Sequence, residues 1–263
     1  MTTKEGTVAL SQEGKARLLK TRGEPLFLAN WDRAVFIHYE ADPVLLQRQV
    51  AFELDLRKNR AFVSVVAFTL SGLRLRFGGR VGKWILRPIA SHEFLNVRTY
   101  VRHHGEPGIF FLAEWLPNSL SVCLGPRTFG LPYRLGRLTY SHTHEVGEMR
   151  GEVATKEGRL AYHAMLPDAS FAPSERDSMT EFLLERYTAF TYQHHRRRLF
   201  RVWHKPWQQT AITAEVTSDD LLARTGEWWQ SAEFAGANYS PGVCVWMGRP
   251  HQMAGFDFIG SLF

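Results

Sequence analysis

Apolar and polar residues alternate along much of the chain, which is the pattern of strands with one buried face. Residues 96–103 alternate in this way, and residues 109–115 resume the pattern after a turn-forming segment at 104–108. Two such segments joined by a short turn predict an antiparallel hairpin over 96–115. Further candidate strands, rich in β-branched and aromatic residues, lie at 34–39, 60–70, 138–144, 147–154, 159–165, 201–207, 210–216 and 243–246.

Helical patterns are fewer. Asp42 can accept hydrogen bonds from free backbone N–H groups and Pro43 suits the first helical position, so a helix is predicted over 44–52. Ser178 and Glu181 form a capping box that opens a helix predicted over 179–195, with Arg186 inside its apolar stripe. A short helix is predicted near 12–19. Residues 238–242 predict a turn and the Gly-rich segment 78–83 a mobile loop.

The strands and helices do not alternate as βαβ units. The pattern therefore predicts an α+β fold, predominantly antiparallel β, whose sheet is a curled or closed β-barrel with two or three flanking helices. Residues 1–25 are polar and are interpreted as an N-terminal arm. Residues 26–263 contain no evident linker or repeat and are predicted to form a single domain.

Composition narrows the class of protein more than its function. The chain is 44% hydrophobic and 22% charged, which is typical of globular proteins, and its net charge of +6 permits a polyanion partner without indicating one. Cys123 and Cys244 are far apart and predict free thiols in a reducing compartment. We see no signal peptide and no apolar stretch of membrane-spanning length, so a cytoplasmic protein without a membrane partner is predicted. Assembly of the chain into a homo-oligomer is an open alternative.

Two histidines have the spacing of metal ligands. On a strand, His142 and His144 point to the same side, and both imidazoles could reach one ion. The alternative is a strand with two polar residues on its solvent face. Because no second paired motif accompanies them, the second interpretation is favoured, and we predict no metal site and no cofactor.

The strongest charge run covers residues 194–201, with sequence HHRRRLFR. It could bind phosphate groups, with Phe200 and Trp203 as stacking partners for bases. It could equally be the cationic C-terminal end of the predicted 179–195 helix, complementing the helix dipole. The second interpretation is favoured, so nucleic-acid binding is not expected.

Alternation places Asn96, Arg98 and Tyr100 on one face of their strand and apolar residues on the other. If the apolar face packs against helices, the polar face points into the barrel. An arginine buried there needs a carboxylate or a bound anion. Glu114 on the paired strand is the expected structural partner, and a ligand is the open alternative.

Seven short blocks resemble the YqjF-like family of uncharacterised bacterial proteins and run in the family's order. They are ANW at 29–31, FIHYxxDP at 36–43, LNVRTYV at 95–101, FGLPYR at 129–134, FLxERY at 182–187, HKPW at 204–207 and YSPGV at 239–243.

That family is similar in fold to acetoacetate decarboxylase, which implies an antiparallel barrel around a small cavity. The decarboxylase forms a Schiff base through one of two adjacent lysines that follow a Gly-x-Pro turn. In the similar segment here, Tyr133 and Arg134 follow Gly130-Leu131-Pro132. Neither residue can form an imine, so the resemblance implies the cavity without the Schiff-base chemistry.

Three hypotheses follow. The first is a cavity that binds a small anionic organic acid through Arg98, Arg186, Asn96, Tyr100 and Glu114. In this first hypothesis Tyr133 and Arg134 are candidate catalytic groups of a lyase or isomerase, and the arginine is expected to lower the pKa of the tyrosine. The second is a binding or regulatory module without catalysis. The third is a nucleic-acid surface on residues 194–201.

Overall fold

The computed structural model describes residues 5–143 and 145–253. Within this part of the chain there are fifteen strands: β1 (Phe27–Ala41), β2 (Glu53–Leu54), β3 (Ala61–Leu75), β4 (His92–His103), β5 (Glu106–Leu116), β6 (Tyr133–Leu135), β7 (Arg137–Ser141), β8 (Gly147–Ala154), β9 (Arg159–Leu166), β10 (Thr188–Gln193), β11 (Arg196–His204), β12 (Thr210–Ala211), β13 (Thr213–Ser218), β14 (Glu233–Met247) and β15 (His251–Gln252).

The helices within the same residues are mostly short. They are α1 (Glu5–Leu19), α2 (Pro43–Gln47), α3 (Gly79–Leu86), α4 (Ser119–Thr128), α5 (Met179–Leu184) and α6 (Asp220–Ala223), with 3-10 segments at Arg87–Ile89 and Glu227–Ser231. Only α1, α3 and α4 of these described helices have eight or more residues.

The large sheet closes on itself. Its strands follow the order β14, β1, β3, β4, β5, β10, β11, and β11 pairs again with β14, so seven strands form a ring. The closing contact pairs Val202 with Met247 and His204 with Val245. All pairs in the ring are antiparallel except β5 with β10. The predicted fold class, a curled and mainly antiparallel sheet with few helices, is confirmed.

Alternation along the ring separates two apolar cores. On β4, Leu95, Val97 and Val101 face an outer core that they share with a second, four-stranded sheet of β13, β9, β8 and β7. Phe94 and Tyr100 face the opposite way, into the core that lines the ring. This is the division that the pattern of 96–101 predicts.

The predicted hairpin over 96–115 is also confirmed, but its turn has two residues where the sequence predicts a turn over 104–108. Strands β4 and β5 are antiparallel and are joined by His104 and Gly105, whose φ angles are 49° and 77°. Two consecutive residues with positive φ match the tight turn that suits the twist of paired strands.

The helix predicted over 179–195 is wrong beyond its first turns. Ser178 does cap α5 by accepting from the Glu181 N–H, but the helix ends at Leu184 and residues 188–193 form strand β10. That segment, TAFTYQ, is rich in β-branched and aromatic residues and pairs with both β5 and β11. Strand pairing therefore overrides the helical spacing of its apolar residues.

Three other local predictions need correction. The helix predicted over 44–52 is only Pro43–Gln47, although Asp42 caps it as expected. Segment 78–83 is mostly helix α3 rather than a loop. Residues 238–242 lie inside β14, where a Cβ on Gly242 would lie 2.5 Å from the Trp31 carbonyl oxygen, so glycine permits the close approach of β1.

The N-terminal arm is largely helical and packs on the ring. Helix α1 lies against β11, where Ser11 Oγ donates to the His204 carbonyl oxygen at 2.7 Å. Trp203 Nε1 donates to the Ser11 carbonyl oxygen at 3.0 Å, and Leu18 is buried beside Tyr187. Residues 1–4 and 254–263, which the arm and domain predictions include, lie outside the described residues.

None of the helices formed by the described residues is long and apolar enough to cross a membrane. Cys123 and Cys244 are exposed and unpaired, as the sequence predicts.

Candidate functional site

The ring encloses a cavity of about 280 Å³. Each of the seven ring strands contributes to its wall, together with residues of α4 and of the 3-10 segment after α3. Most of the lining is apolar, and nine lining residues are aromatic: Phe27, Trp31, Phe68, Phe94, Phe111, Phe129, Tyr133, Phe200 and Trp207. A concave, largely apolar space with a few polar groups is the usual form of a small-molecule site.

The polar groups lie on neighbouring strands. Asn96 on β4 is paired with Glu114 on β5, and Glu114 is paired with Tyr133 on β6. A register shift between Val97 and Arg98 follows, so Arg98 occupies the next inward position of β4. All four inward side chains line the cavity.

Arg98 is 6% exposed. Its Nη2 donates to the Leu183 carbonyl oxygen at 3.3 Å, and its guanidinium carbon lies 5.8 Å from the centre of the Phe36 ring. Its Nε has no hydrogen-bond partner, and no carboxylate oxygen lies within 4.0 Å to form an ion pair, among residues 5–143 and 145–253. A buried guanidinium held this incompletely has a charge and a hydrogen-bond donor that the surrounding protein does not satisfy.

Glu114 does not neutralise Arg98 in the way that the sequence suggests. Burial raises the pKa of Glu114 well above its usual range, and the charge of Arg98 opposes this only in part. The Oε2 atom of Glu114 and the Oδ1 atom of Asn96 have no hydrogen-bond partner in the described chain. A Glu114 side chain that keeps its proton is neutral and leaves the positive charge of Arg98 uncompensated.

Three buried histidines on the ring strands have lowered pKa values. Burial and the charge of Arg98 lower the pKa of His38 to about 3, against the opposing effect of Asn238. Burial lowers the pKa of His204 to about 4, with a smaller contribution from Arg98 and opposition from the Lys205 carbonyl. Burial likewise lowers the pKa of His92 to about 4. His92 and His204 line the cavity, so they offer hydrogen bonds there without adding charge.

Arg186 reaches the cavity wall but is already paired. Its Nη1 donates to Asp55 Oδ2 at 2.6 Å, and its Nε donates to the Phe182 carbonyl oxygen at 2.8 Å. The same carboxylate accepts from Arg102 at 2.8 Å. Of the two arginines that line the cavity, Arg98 is therefore the one without a carboxylate partner in the described chain.

Tyr100 is buried and contacts the Leu183 carbonyl group that Arg98 also contacts. Its hydroxyl donates to the Leu183 carbonyl oxygen at 2.9 Å and hydrogen-bonds with Ser64. Ser64 continues the chain to His38 Nδ1 at 2.7 Å, and His38 Nε2 lies 3.2 Å from Asn238 Oδ1. This network holds the end of α5, and through it one contact of Arg98, in place.

Tyr133 and Arg134 do not converge on one space. Adjacent residues of a strand point to opposite faces, so Tyr133 lines the cavity while Arg134 lies outside it. Arg134 Nη1 lies 3.3 Å from Glu157 Oε2, and its guanidinium carbon lies 5.5 Å from the centre of the Trp115 ring. The expected lowered pKa of Tyr133 is wrong, because burial and the nearby Glu114 raise it well above its usual range.

The described lining residues bear on Schiff-base chemistry. No lysine is among the described residues that line the cavity. A Schiff base needs a lysine amine within reach of a bound carbonyl. The cavity wall, as described, offers none.

The candidate metal ligand His142 and the basic run at 194–201 both make contacts within the protein. His142 Nδ1 donates to the Arg33 carbonyl oxygen at 2.8 Å and its Nε2 hydrogen-bonds with Tyr162 at 2.7 Å, so both ring nitrogens have protein partners. His144 lies outside the described residues. The described chain contains no cluster of three metal-ligating side chains.

The basic run at 194–201 is a hairpin rather than a helix end. His194 and His195 form its turn with positive φ angles, and Arg196 begins β11. Arg197 donates to the Ala51 carbonyl oxygen at 2.7 Å. The proposed stacking partners, Phe200 and Trp203, are both buried and cannot receive a base.

Comparisons with known proteins identify the family of this chain. Residues 28–244 match the family DUF2071, described as an uncharacterized conserved protein. The chain belongs to this family. It is also 29% identical over 202 residues to the uncharacterized protein YqjF of Bacillus subtilis (strain 168), covering 74% of this chain and 80% of that protein. The resemblance predicted from the seven sequence blocks is confirmed.

Solved structures show the same fold at low identity. An acetoacetate decarboxylase-like enzyme from Sphingomonas wittichii RW1 superposes with a TM-score of 0.62 at 14% identity, over 89% of this chain and 95% of that one. The enduracididine biosynthesis enzyme MppR, complexed with pyruvate, gives a TM-score of 0.58 at 12% identity, over 88% and 92%. This chain therefore shares the fold of these acetoacetate decarboxylase-like structures.

Sequence reasoning missed several site residues. Asp55, the partner of Arg186, lies 131 residues away along the chain, so no local pattern announces it. His92, His204 and Trp207 line the cavity as well. His204 and Trp207 stand in the HKPW block that carries the family resemblance, which was a usable signal.

Proposed function

We propose that the cavity binds a small organic anion, a carboxylate or an enolate, and that Arg98 is its principal partner. The observation that carries the proposal is a buried guanidinium with an unpartnered nitrogen and no ion-pairing carboxylate in the described chain. A bound carboxylate would supply both the missing hydrogen-bond acceptor and the missing negative charge.

The surrounding groups support an anion rather than a cation. His92 and His204 are neutral, and burial favours the protonated form of Glu114. A protonated Glu114 can donate a hydrogen bond to the same ligand, and Asn96 offers its amide. The MppR structure, complexed with pyruvate, shows that a related fold can hold a small carboxylate.

The experiment compares two arginines that differ in position. Small carboxylates such as acetate and pyruvate are titrated into the wild type, Arg98→Gln and Arg134→Gln, with binding followed by calorimetry and by thermal stabilisation. Wild type and Arg134→Gln are expected to bind alike, and Arg98→Gln to lose binding at least tenfold. Equal binding by all three proteins would refute the proposal.

A separate trial addresses the reaction class. Borohydride reduction in the presence of a keto acid is expected to leave no covalent adduct by mass spectrometry, because no described cavity residue is a lysine. An adduct on any lysine would overturn the proposed absence of Schiff-base chemistry.

A second candidate function is proton transfer on the bound acid. Glu114 carries the observation for it, since a buried carboxyl with a raised pKa and a free oxygen lies in the same cavity as Arg98. In its ionised form Glu114 could take the proton from the carbon beside a carbonyl and then return a deuteron from solvent, while Arg98 stabilises the negative oxygen of the enolate. Deuterium exchange at the methyl group of pyruvate, followed by NMR, is expected in the wild type and not in Glu114→Gln. Binding without exchange would leave a non-catalytic binding module.

We place this activity in the cytoplasm on the basis of the two unpaired, exposed thiols. Binding of nucleic acid is not proposed, because the aromatic residues beside the basic run are buried.

A further inference from the structure

We infer that the ligand is a monocarboxylate with an apolar body, either aromatic or a chain of several methylenes, rather than a small hydrophilic keto acid or a dicarboxylate. The inference rests on the proposed function, since it presumes that Arg98 receives the carboxylate. It is carried by the distribution of polar and aromatic groups around the cavity.

The unsatisfied polar atoms of the lining cluster in one part of the wall, apart from the two ring nitrogens of the neutral His92. Arg98 Nε, Asn96 Oδ1 and Glu114 Oε2 lie on adjoining strands β4 and β5. Two other polar side chains of the lining are engaged elsewhere: Thr128 Oγ1 donates to the Leu124 carbonyl oxygen at 2.8 Å, and Thr188 accepts from Arg201 at 2.8 Å. A ligand therefore finds one charged end, and the neutral His92 ring offers it only hydrogen bonds.

The charge of the wall limits the ligand to one negative charge. Arg186 is held by Asp55 at 2.6 Å, and no lysine is found among the described lining residues. A second carboxylate would be buried against aromatic rings without a counter-charge, which is strongly unfavourable. Dicarboxylates are therefore expected to bind worse than monocarboxylates.

The remaining wall is a set of aromatic rings in mutual contact. Trp31 stacks on Trp207 with ring centres 6.2 Å apart and lies 5.5 Å from Phe68, which stacks on Phe94 at 5.3 Å. Phe94 lies 5.7 Å from Tyr133, close to Glu114. This series of rings leads from the polar groups along the wall.

A second group of rings completes the apolar surface. Phe129 lies 5.0 Å from Phe200 and 6.2 Å from Phe27. Leu124 lines the cavity and is 41% exposed, so the cavity reaches the surface beside an apolar residue of α4. Small polar acids would leave these rings in contact with water, whereas an apolar body would cover them.

The test is a matched ligand series on the intact protein. Dissociation constants are measured by calorimetry for pyruvate, succinate, butyrate, hexanoate, 3-phenylpropionate and 3-phenylpropanamide. Each added methylene is expected to tighten binding about fourfold, so hexanoate should bind about 16-fold more tightly than butyrate. Phenylpropionate should bind at least tenfold more tightly than pyruvate, and succinate most weakly.

Two variants separate this inference from the proposed function. The series is repeated with Arg98→Gln and with Arg98→Lys, which keeps the charge, after their thermal stability has been compared with the wild type. We expect Arg98→Gln to remove the preference for phenylpropionate over its amide, and Arg98→Lys to retain part of it.

Each outcome decides the question. Arg98-dependent binding in which pyruvate or succinate equals or exceeds phenylpropionate would overturn the ligand class while leaving the proposed function intact. Equal binding of acid and amide, unchanged in Arg98→Gln, would overturn both. Failure of every acid to bind up to its solubility limit would also overturn both.

Discussion

Arg186 and Asp55 form an ion pair of 2.6 Å in the interior, where both side chains are more than nine-tenths buried. The pair satisfies one of the two cavity arginines and leaves Arg98 as the partner of the proposed anion. It also joins the segment that follows α5 to the residue that follows β2.

Breaking this pair from the carboxylate side should be costly. Asp55→Asn leaves the buried Arg186 without a counter-charge and weakens the contact to Arg102, so we expect a loss of about 3–5 kcal/mol in the free energy of unfolding. Urea denaturation measures it. Glu157→Gln, which breaks the exposed pair with Arg134, is the matched control and should cost about 0.2–1 kcal/mol. Similar losses in both variants would contradict the argument.

The opposite result is expected for Arg98. Arg98→Met removes a buried charge that has no ion-pairing carboxylate in the described chain, so the unliganded protein should gain stability on the order of 1 kcal/mol. The same variant should lose its response to carboxylates. Stability and binding are both read from thermal melts with and without ligand. A melting temperature well below that of the wild type would show that Arg98 is a structural residue.

Glu185 should give stability a distinct pH dependence. Burial raises the pKa of Glu185 to about 7, although Tyr187 and the Trp207 N–H both donate to its carboxylate. A raised pKa means that the unfolded chain releases this proton first. The contribution of Glu185 is therefore fully present below about pH 4.5 and is lost as the pH rises to about 7.

Glu185→Gln isolates that contribution. Denaturant unfolding is measured for the wild type and the variant at several pH values between 4.5 and 8. The stability of the wild type relative to the variant should fall with rising pH up to about 7 and stay constant above it. A difference that does not change with pH would mean that Glu185 ionises normally in the folded protein.

Gly125 in α4 should control the position of the Tyr133 ring. A Cβ at this glycine would lie 2.3 Å from Tyr133 Cδ2, so Gly125→Ala must push the ring toward the cavity. The clash should cost about 1–3 kcal/mol, more than the gain of about 1 kcal/mol from replacing glycine in a helix. Ligand affinity should fall about tenfold or more, as measured by calorimetry.

The double variant Gly125→Ala/Tyr133→Leu is the control for the glycine prediction. Removal of the ring should relieve the clash, so stability should recover toward that of Tyr133→Leu alone. Cys123→Ala on the exposed side of the same helix should change neither stability nor affinity appreciably. A double variant as unstable as the sum of its two parts would contradict the contact.

Local patterns predicted some parts of this molecule and missed others for physical reasons. The inward face of Asn96, Arg98 and Tyr100 follows from alternation, because the two sides of β4 meet different cores. The segment after Leu184 carries helical and strand patterns together, and only its pairing with β5 and β11 decides between them.

The candidate site was predictable in part. Tyr133 reached the cavity as expected, but strand geometry sends the adjacent Arg134 to the other side of the sheet. Asp55 could not be inferred, because its contact with Arg186 joins residues that are distant in sequence. What the sequence could not provide was the three-dimensional pairing of charges.

Strand β14 has a consequence for how the protein is made. It pairs with β1 along most of its length and closes the ring against β11, so six ring strands precede it in the chain. Until β14 leaves the ribosome, β1 and β11 are open edges with unpaired backbone groups, which invite aggregation or chaperone binding. In a chain truncated before residue 233 the ring is therefore open, and the edges of β1 and β11 that β14 covers are unpaired. The proposed ligand site is therefore complete only after β14 has been synthesised.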